Sequence, residues 1–549
     1  MYRFSDTPSG FRIPAILDES GLARPLHSTV NPVREAERLV RGDGDGEGFA
    51  VFLGLGGGFA PSLALGMPGN SGVLVIDYGL EGIAELFGAM DYAAVLGNPG
   101  FTLMVDPSPA LVERAVAELY RPAISGGIRV LPLRARIERD RRNFAEAGEA
   151  LRRGIERVSS DYSVQAHFGI RWFSNIVRNV VTLGSGAAPV RIASPSEAAI
   201  CAAGPSLDER LPSLVRAKGR GGGPFVISTD TALPALLHAG LKPDAVVSID
   251  CQHVGYHHFM GLSCRDVPLF LDVASPPALS ALSDFPVFFC GGHPLAAHLR
   301  QNYPSLPVLD TSGGNVTYAC LSLAEKLGAG RIYVYGADFS YPMGKIYARG
   351  TYVFPYFESR QNRLSPLEAR ISSFLFRAPF LPADPGDASA GILRCETAAM
   401  RSYRQSFLRK ISEMDAEVSV SPAFIPGSRD GGGRVLDFAP GKPTAKAADF
   451  LEGYLREVLA LSLPGPSGEK HVFTTLLPLM AALKHRRPGL SPPDLLEAAK
   501  LHCAGEIGRV LAAPGPAGQI DLRPVFGYNG ANGGMPCSTV FSTTTCVNT

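Results

Sequence analysis

The feature that most constrains the fold is a regular alternation of apolar and helical segments in the middle of the chain. Six apolar segments of strand length follow one another with helical sequence between them, at residues 197–203, 225–228, 245–249, 268–273, 287–290 and 331–335. Strands that alternate with helices in this way are typical of a parallel sheet with helices on both faces. We therefore predict an α/β fold built around a doubly wound parallel sheet.

Polar side chains and glycines collect where these predicted strands end. The ends read Gly204-Pro-Ser206, Thr229-Asp-Thr231, Asp250-Cys-Gln252, Asp272, Gly291-Gly-His293 and Gly336-Ala-Asp338, and the loop Asp310-Thr-Ser-Gly-Gly-Asn315 comes before the last crossover helix. In doubly wound sheets, ligands bind outside the carboxyl ends of the strands. Any one acid at such an end commonly caps the next helix. Because one bound nucleotide would explain the whole set, we predict a nucleotide site at this edge.

The turn after the first predicted strand is the centre of that site. Gly204 lets the chain turn sharply because it has no Cβ, and Pro205 fixes the turn. Ser206 and Glu209 have the spacing of a capping box, in which side chains satisfy the first amides of a helix, although the same amides can instead bind an anion. Since Pro212 lies too deep for an unbroken helix, we expect the regular helix to restart there. We interpret the turn as facing a phosphate.

Two phenols follow the last predicted strand, in Gly336-Ala-Asp-Phe-Ser-Tyr-Pro-Met-Gly-Lys-Ile-Tyr347. Tyr341 and Tyr347 are six residues apart, with Lys345 between them. Phenol and ammonium groups donate to phosphate oxygens and can hold negative charge without a metal. The alternative, an aromatic lid that packs on the core, stays open.

These motifs resemble the motility associated factor (Maf) family, also called the MptE-like family after the archaeal 6-hydroxymethylpterin diphosphokinase. The resemblance covers residues 190–355 and lies in Cys201-Ala-Ala-Gly-Pro-Ser-Leu-Asp208, Thr229-Asp-Thr-Ala-Leu233, Pro243-Asp-Ala-Val-Val-Ser-Ile-Asp250, Ser312-Gly-Gly-Asn-Val316 and Tyr335-Gly-Ala-Asp-Phe-Ser-Tyr341. Members with this layout are thought to transfer nonulosonic, sialic-acid-like sugars from CMP-activated donors to serine or threonine of flagellin. Their central domain is similar to that of a bacterial sialyltransferase family, which implies a Rossmann-type sheet here.

The resemblance implies a role for most of the polar residues at the strand ends. Gly204, Pro205 and Ser206 would face the CMP, and Thr229, Asp230, Asp250 and Gln252 would line the nucleoside pocket. Ser312 and Gly313 would reach the phosphate. We add Asp338 to the nucleotide-binding residues because it follows the last strand. Tyr341 and Tyr347 match the spacing of the phenols that assist departure of the CMP phosphate in the sialyltransferases.

The general base is the part of the mechanism that the sequence does not assign. The sialyltransferases use a histidine beyond the tyrosines, yet this chain has no histidine between His298 and His471. Asp250 would serve if burial raised its pKa. Three histidines come soon after Asp250: His253, His257 and His258. We interpret them as a helix surface and assign no metal, because no carboxylate partner at ligand spacing is evident.

The leading hypothesis is a cytoplasmic, metal-independent glycosyltransferase that needs no cofactor besides its nucleotide-sugar donor. Its partners would be the CMP-linked sugar and a flagellin-type acceptor. A pterin diphosphokinase is the first alternative and would need a nucleoside triphosphate with Mg²⁺, held by Asp230, Asp250 and Asp338 if they converge. No Walker sequence is present. A non-catalytic flagellin-binding assembly factor is the second alternative, and homo-oligomerisation stays open.

The region before this central part, residues 1–184, contains a glycine-rich turn in a Rossmann-like setting. Gly54-Leu-Gly-Gly-Gly58 lies between a predicted strand and helix, and Asp77 ends the next strand. That arrangement places a ribose against a carboxylate in dinucleotide-binding domains. Phe59 stands where the third glycine of the GxGxxG pattern would be, so an empty Rossmann-like unit is the alternative.

Length and composition bound the remaining possibilities. A chain of 549 residues needs several cores, which we place at residues 1–184, 185–360 and a helical C-terminal region, 361–522, followed by a loose tail, 523–549.

Composition excludes some classes of partner and location. A formal charge of +1 excludes a nucleic-acid partner bound by the overall charge of the protein. We find no apolar run long enough for a membrane span and no signal-peptide core in the first residues, so we expect an intracellular protein. The nine cysteines lack metal-binding spacing, and we assign no disulfide.

Overall fold

The computed structural model of the protein describes ten stretches of the chain: residues 2–17, 21–42, 47–184, 189–219, 223–262, 264–381, 394–421, 434–438, 443–463 and 471–513. The predicted tail at 523–549 lies outside the described residues, as do Cys537 and Cys546. The seven described cysteines are free thiols. Among the described helices, none combines the length and the apolar character that a membrane span requires.

The N-terminal region contains two sheets. Three short antiparallel strands come first: β1 (Tyr2–Asp6), β2 (Arg12–Leu17) and β3 (Ala23–Pro25). A four-stranded parallel sheet follows, in the order β6-β5-β4-β7, from β4 (Gly48–Leu53), β5 (Asn70–Asp77), β6 (Phe101–Val105) and β7 (Ile128–Pro132). Its helices span Pro32–Arg41, Phe59–Leu65, Leu80–Ala89, Ala93–Leu96, Pro109–Leu119, Pro122–Ser125 and Arg134–Arg139. The glycine-rich turn therefore joins a buried strand to a helix, as predicted.

The central sheet has seven parallel strands, in the order β13-β12-β11-β10-β9-β14-β17. The six predicted strands are all present: β9 (Glu197–Cys201), β10 (Phe225–Thr229), β11 (Ala245–Ser248), β12 (Leu269–Asp272), β13 (Pro286–Phe289) and β14 (Arg331–Tyr335). The predicted α/β fold with a doubly wound parallel sheet is thus confirmed. The seventh strand, β17 (Glu417–Val420), comes from the C-terminal part and pairs with β14.

Two small antiparallel pairs accompany this sheet. β8 (Arg191–Ala193) pairs with β18 (Val435–Asp437), and β15 (Tyr341–Pro342) pairs with β16 (Arg394–Cys395). In both pairs a strand of the central region meets one from the C-terminal part. The predicted boundary near residue 360 stays a prediction, but strand pairing crosses it at three places.

The crossover segments between the strands of the central sheet are short. They are the helices Leu207–Gly219, Leu233–His238, Pro294–Leu299 and Val316–Leu327 and the 3₁₀ segments His253–Phe259 and Pro277–Leu282. The expectation that the first helix restarts near Pro212 is wrong, because this helix begins at Leu207 and continues through Pro212. Proline there removes one bond, to the Asp208 carbonyl, while Leu211 and Leu214 stay buried against the sheet.

A helix of 44 residues, Arg141–Gly184, links the N-terminal region to the central sheet. The C-terminal helices are Val353–Glu358, Leu367–Leu375, Ala398–Glu413, Ala447–Leu459, His471–Arg486 and Pro492–Ala512. The long helix shares one core with β12 and the last three of these helices, through side chains such as Phe173, Leu271 and Met480. Helix Val316–Leu327 covers the opposite face of the sheet together with Phe407.

Candidate functional site

The strand order places the first strand of the central sheet in its middle. β10 to β13 lie on one side of β9, and β14 and β17 lie on the other. The order in which strands are added to the sheet therefore reverses between β9 and β14. This position is the topological switch point, where such sheets bind ligands. The turn at Gly204 follows β9, and the loop that contains Asp338 follows β14. The two predicted loops thus meet at the position where a ligand is expected.

The two loops are joined by backbone and carboxylate hydrogen bonds. The Gly204 amide donates to the Gly336 carbonyl at 2.8 Å, and the Ser206 amide donates to Asp338 Oδ2 at 2.9 Å. A Cβ on Gly204 would lie 2.3 Å from Asp338 Oδ2 and 2.4 Å from the Gly336 oxygen. Glycine is therefore required at position 204 by the close approach of the loops, in addition to any role in a turn.

The start of helix Leu207–Gly219 is capped differently from the prediction. The Ser206 hydroxyl oxygen is buried and has no hydrogen-bond partner among the described residues, so the capping box, one of the two alternatives for this turn, does not form. Asp338 accepts the Ser206 amide in its place. A phosphate bound at this helix start would compete with the Asp338 carboxylate for that amide.

Thr229 and Asp230 at the end of β10 are almost fully buried and held by local bonds. Asp230 Oδ1 accepts the Thr231 amide at 2.7 Å, and Oδ2 accepts the Ser248 hydroxyl at 2.7 Å. Thr229 Oγ1 accepts the Ala232 amide at 3.2 Å. Both carboxylate oxygens of Asp230 are thus engaged, which fixes the orientation of its negative charge at the edge of the sheet.

Asp250 lies at the neighbouring strand end and is partly buried. Its Oδ1 accepts the Gln252 amide at 2.8 Å, which places Gln252 in the same turn. Burial raises the pKa of Asp250, and the negative charge of Asp230 raises it further, while His258 and Arg171 act in the opposite direction. The structure therefore places Asp230, Asp250 and Gln252 at one edge.

Two asparagines of the long helix hold the loops beside Asp250. Asn175 Nδ2 donates to the carbonyls of Cys251 and Ala274, at 3.0 and 2.7 Å. Asn179 Nδ2 donates to the carbonyls of Val273 and Ser275, both at 2.8 Å. These contacts position the loops after β11 and β12. Sequence reasoning missed them, since neither asparagine belongs to a motif.

The predicted phenols lie in a loop that is anchored on the end of β9. The Ala348 amide donates to the Ala203 carbonyl at 2.8 Å. Burial raises the pKa of Tyr347 to about 12, and the charges of Tyr341 and Asp230 also raise it. Burial also raises the pKa of Tyr341, whose hydroxyl is hydrogen-bonded to Arg377.

A third phenol and a guanidinium join this group without having been predicted. Burial raises the pKa of Tyr352, and Tyr347, Asp230 and Asp250 raise it further, whereas Arg377 lowers it. Arg377 follows helix Leu367–Leu375, and its guanidinium carbon lies 3.8 Å from the centre of the Phe374 ring. No motif marks Arg377, because the C-terminal part brings it to the tyrosines only through tertiary packing.

The loop with Ser312 and Gly313 is built around Tyr318. Asp310 accepts the Ser312 amide and the Tyr318 hydroxyl, both at 3.0 Å, and a Cβ on Gly313 would lie 2.1 Å from the Tyr318 ring. Ser312 itself is exposed. Tyr403 connects this loop to the site, since its ring approaches Gly314 and its pKa is raised by burial and by Asp250.

The three histidines after Asp250 do not share one environment. They lie in the 3₁₀ segment His253–Phe259, where His253 is exposed but His258 is only 7% exposed. The interpretation of all three as a helix surface is therefore wrong for His258. Its ring meets the Tyr352 ring edge-on at 4.4 Å, because the loop with the phenols covers this segment.

The ends of β12 and β13 form a separate group. Asp272 accepts the Ala274 amide at 2.8 Å, and burial raises its pKa to about 6. His293 caps the helix Pro294–Leu299 and packs edge-on against Trp172 at 5.5 Å. Among the described residues, no group of three or more His, Cys, Asp or Glu side chains is arranged to hold a metal ion.

The glycine-rich turn of the N-terminal region is filled by the protein's own side chains. Asp77 Oδ2 accepts the Leu55 amide at 2.7 Å, and Arg136 pairs with the same carboxylate at 2.9 Å. The Gly57 amide donates to His27 Nε2 at 2.7 Å. The amides and the carboxylate that would receive a dinucleotide are thus already paired, which favours the alternative of an empty unit.

The central sheet matches a known family. A family model described as "6-hydroxymethylpterin diphosphokinase MptE-like" matches residues 173–344, which span the long helix's end and β9 to β14. Two relatives are uncharacterized proteins of Treponema pallidum (strain Nichols). One is 46% identical over 121 residues, or 22% of this chain and 41% of the relative. The other is 30% identical over 149 residues, or 26% of this chain and 68% of the relative. The first match thus spans less than half of that relative's length.

A solved structure is similar over nearly the whole chain. The Maf glycosyltransferase from Magnetospirillum magneticum AMB-1 superposes with a TM-score of 0.52 at 14% identity, covering 93% of this chain and 86% of that one. This likeness shows a shared fold. The match of residues 173–344 to the MptE-like family model agrees with the resemblance of the strand-end motifs to the motility associated factor (Maf), or MptE-like, family.

Proposed function

We propose that the protein is a metal-independent glycosyltransferase that moves a nonulosonic, sialic-acid-like sugar from a CMP-activated donor to a serine or threonine of a flagellin-type protein. The observation that carries this proposal is the loop of phenols held over the switch point. Ala348 anchors it to the end of β9, and Tyr341, Tyr347 and Arg377 gather there. Hydroxyl and guanidinium donors of this kind stabilise a departing phosphate.

The proposed reaction is a displacement at the anomeric carbon of the donor. The bond from that carbon to the CMP phosphate breaks, and its electron pair stays on the phosphate, which Tyr341, Tyr347 and Arg377 stabilise. The acceptor hydroxyl oxygen forms the new bond and loses its proton to a base. Ser206, with its unpartnered hydroxyl, and the strand-end residues Thr229, Asp230, Asp250 and Gln252 would bind the nucleotide.

Nucleotide binding gives the first test of this proposal. We expect CMP to raise the melting temperature, since a ligand present at about 100 times its Kd stabilises the folded state by roughly 2.7 kcal/mol. Calorimetry should give the same dissociation constant. The proposal fails if CMP neither binds nor stabilises the protein while ATP or GTP does.

Transfer to flagellin gives the second test, with variants of the phenols. Tyr341→Phe should lower transfer by roughly 10²- to 10³-fold, because removing one donor to developing charge has an effect of this size. CMP binding should persist. Tyr162→Phe, in the long helix outside the site, is the matched control and should transfer normally. Equal transfer by both variants would contradict the role of Tyr341.

The diphosphokinase alternative is favoured by the description of the matching family model. It predicts release of AMP from ATP in the presence of a hydroxymethylpterin and Mg²⁺. Two of the three acids named for that metal already accept hydrogen bonds within the protein. Asp338 accepts the Ser206 amide, and Asp230 accepts the Thr231 amide and the Ser248 hydroxyl. Metal-dependent AMP release would establish this alternative, whereas flagellin binding without any turnover would establish an assembly factor.

A further inference from the structure

His258 is a buried histidine whose ring is not used in holding the fold by hydrogen bonds. It is 7% exposed, and its Nδ1 atom is buried without a partner among the described residues. A buried polar atom without a partner costs stability, and a catalytic role is one physical reason for keeping it. The Tyr352 ring, edge-on at 4.4 Å, holds the imidazole in place.

The surroundings of His258 combine opposing influences. Burial lowers its pKa, and His257, the neighbour on its own segment, lowers it too. Asp230 after β10 and Asp250 after β11 act in the opposite direction, and Tyr352 faces the ring from the loop above. The net effect lowers the pKa of His258, which favours the neutral imidazole, the form that accepts a proton.

We infer that His258 is the general base that removes the proton from the acceptor hydroxyl, with Asp230 and Asp250 as the carboxylates that stabilise the imidazolium formed. This inference rests on the proposed glycosyl transfer. The acceptor O–H bond breaks, the proton goes to an imidazole nitrogen of His258, and the oxygen bonds to the anomeric carbon. The electron pair of the broken sugar–phosphate bond leaves with CMP, so no further reactant is needed.

This assignment changes the role of Asp250. Asp230 is held by Thr231 and Ser248, and Asp250 by the Gln252 amide, so neither carboxylate has to accept the proton itself. Each acts by electrostatic attraction on the protonated ring, without a hydrogen bond to Nδ1, which has no partner among the described residues. Asp250 is then a positioning residue, and the base lies before the tyrosines in the chain.

The test compares His258→Asn with His253→Asn in the full-length protein. His253 is an exposed residue of the same 3₁₀ segment and serves as the matched control. We expect His258→Asn to lose transfer by roughly 10²- to 10⁴-fold, as loss of a general base does. CMP binding and the melting temperature should stay close to the wild-type values, and His253→Asn should transfer normally. A second variant, His258→Gln, covers the case in which asparagine fails to fold.

Two further readouts separate catalysis from a structural role. The wild-type kcat/KM should fall as the pH is lowered and His258 becomes protonated, with a midpoint below the ordinary histidine pKa because burial lowers the pKa of this ring. Added imidazole should restore part of the transfer by His258→Ala. Transfer by the folded asparagine and glutamine variants within threefold of wild type would overturn the inference. If the wild type binds no CMP and transfers no sugar, the proposed function itself fails. Wild-type transfer with unchanged variants removes only the role of His258.

Discussion

At the residue scale, the site depends on two glycines, because the loops there approach too closely to accommodate a Cβ atom. Gly204 and Gly336 come so close that a Cβ on either would meet backbone or carboxylate oxygen within 2.4 Å, and Gly336 also has a φ of 71°. Backbone and carboxylate atoms at the switch point have little room to move away. The same closeness lets Asp338 reach the Ser206 amide.

Replacing Gly204 by alanine should therefore reduce stability. We expect Gly204→Ala to lower the free energy of unfolding by about 1–3 kcal/mol, as overpacking does in a filled interior, and to weaken CMP binding. Urea unfolding and calorimetry measure the two effects. Gly292→Ala is the control, because nothing lies within 4 Å of its Cβ position in another strand-end loop. Equal stability of the two variants would contradict the close approach.

Residue types at this edge were predictable because strand ends and turn residues leave local signals in the sequence. Ser206, Asp230 and Asp250 were expected near a nucleotide, and the structure places Asp230 and Asp250 after the adjacent strands β10 and β11. Their partners were not predictable. His258 lies eight residues after Asp250, but only the covering loop with Tyr352 distinguishes it from exposed His253.

At the element scale, the long helix Arg141–Gly184 orders the site from outside it. Asn175 and Asn179 hold the loops after β11 and β12, and the helix is itself held by helix His471–Arg486. The two helices nearly touch at Gly169, where a Cβ would lie 1.8 Å from the Pro478 carbonyl oxygen. The helix crossing therefore determines where the two asparagines lie.

An alanine at Gly169 should push these helices apart. We expect Gly169→Ala to lower the free energy of unfolding by about 1–3 kcal/mol, because the backbone carbonyl cannot yield without a shift of the helix. Gly148→Ala, in the same helix with open space around it, should instead gain up to about 1 kcal/mol from helix propensity. Urea denaturation measures both, and a stabilised Gly169→Ala would be the contrary result.

At the scale of the whole molecule, the C-terminal part completes both the sheet and the site. β17 pairs with β14, Arg377 and Tyr403 approach the predicted catalytic groups, and helices after residue 446 share a core with the long helix. The predicted helical character of this part is present, yet its strands β16, β17 and β18 were not expected. A four-residue strand leaves too weak a local signal when its partner lies far away in the sequence.

A chain truncated after residue 360 should therefore fail to fold. It would lose β17 and expose apolar side chains of the long helix, so we expect aggregation or binding of a hydrophobic dye. Size-exclusion chromatography and thermal melting decide this. A chain that ends at residue 513 keeps all described residues and should melt cooperatively. A monodisperse, cooperatively melting 1–360 chain would show that the predicted boundary separates independent domains.

The amino-acid sequence by itself determined the six central strands, their alternation with helices and the kinds of polar group at their ends. Those properties follow from local apolar patterns and from glycine, proline and capping residues. The tertiary structure alone decided the strand order that makes β9 and β14 neighbours, the pairing of Asp338 with Ser206, and the arrival of Arg377, Asn175 and Asn179. It also buried His258 against the Tyr352 ring. These contacts join residues far apart in the chain, so their energies become apparent only when the elements are packed.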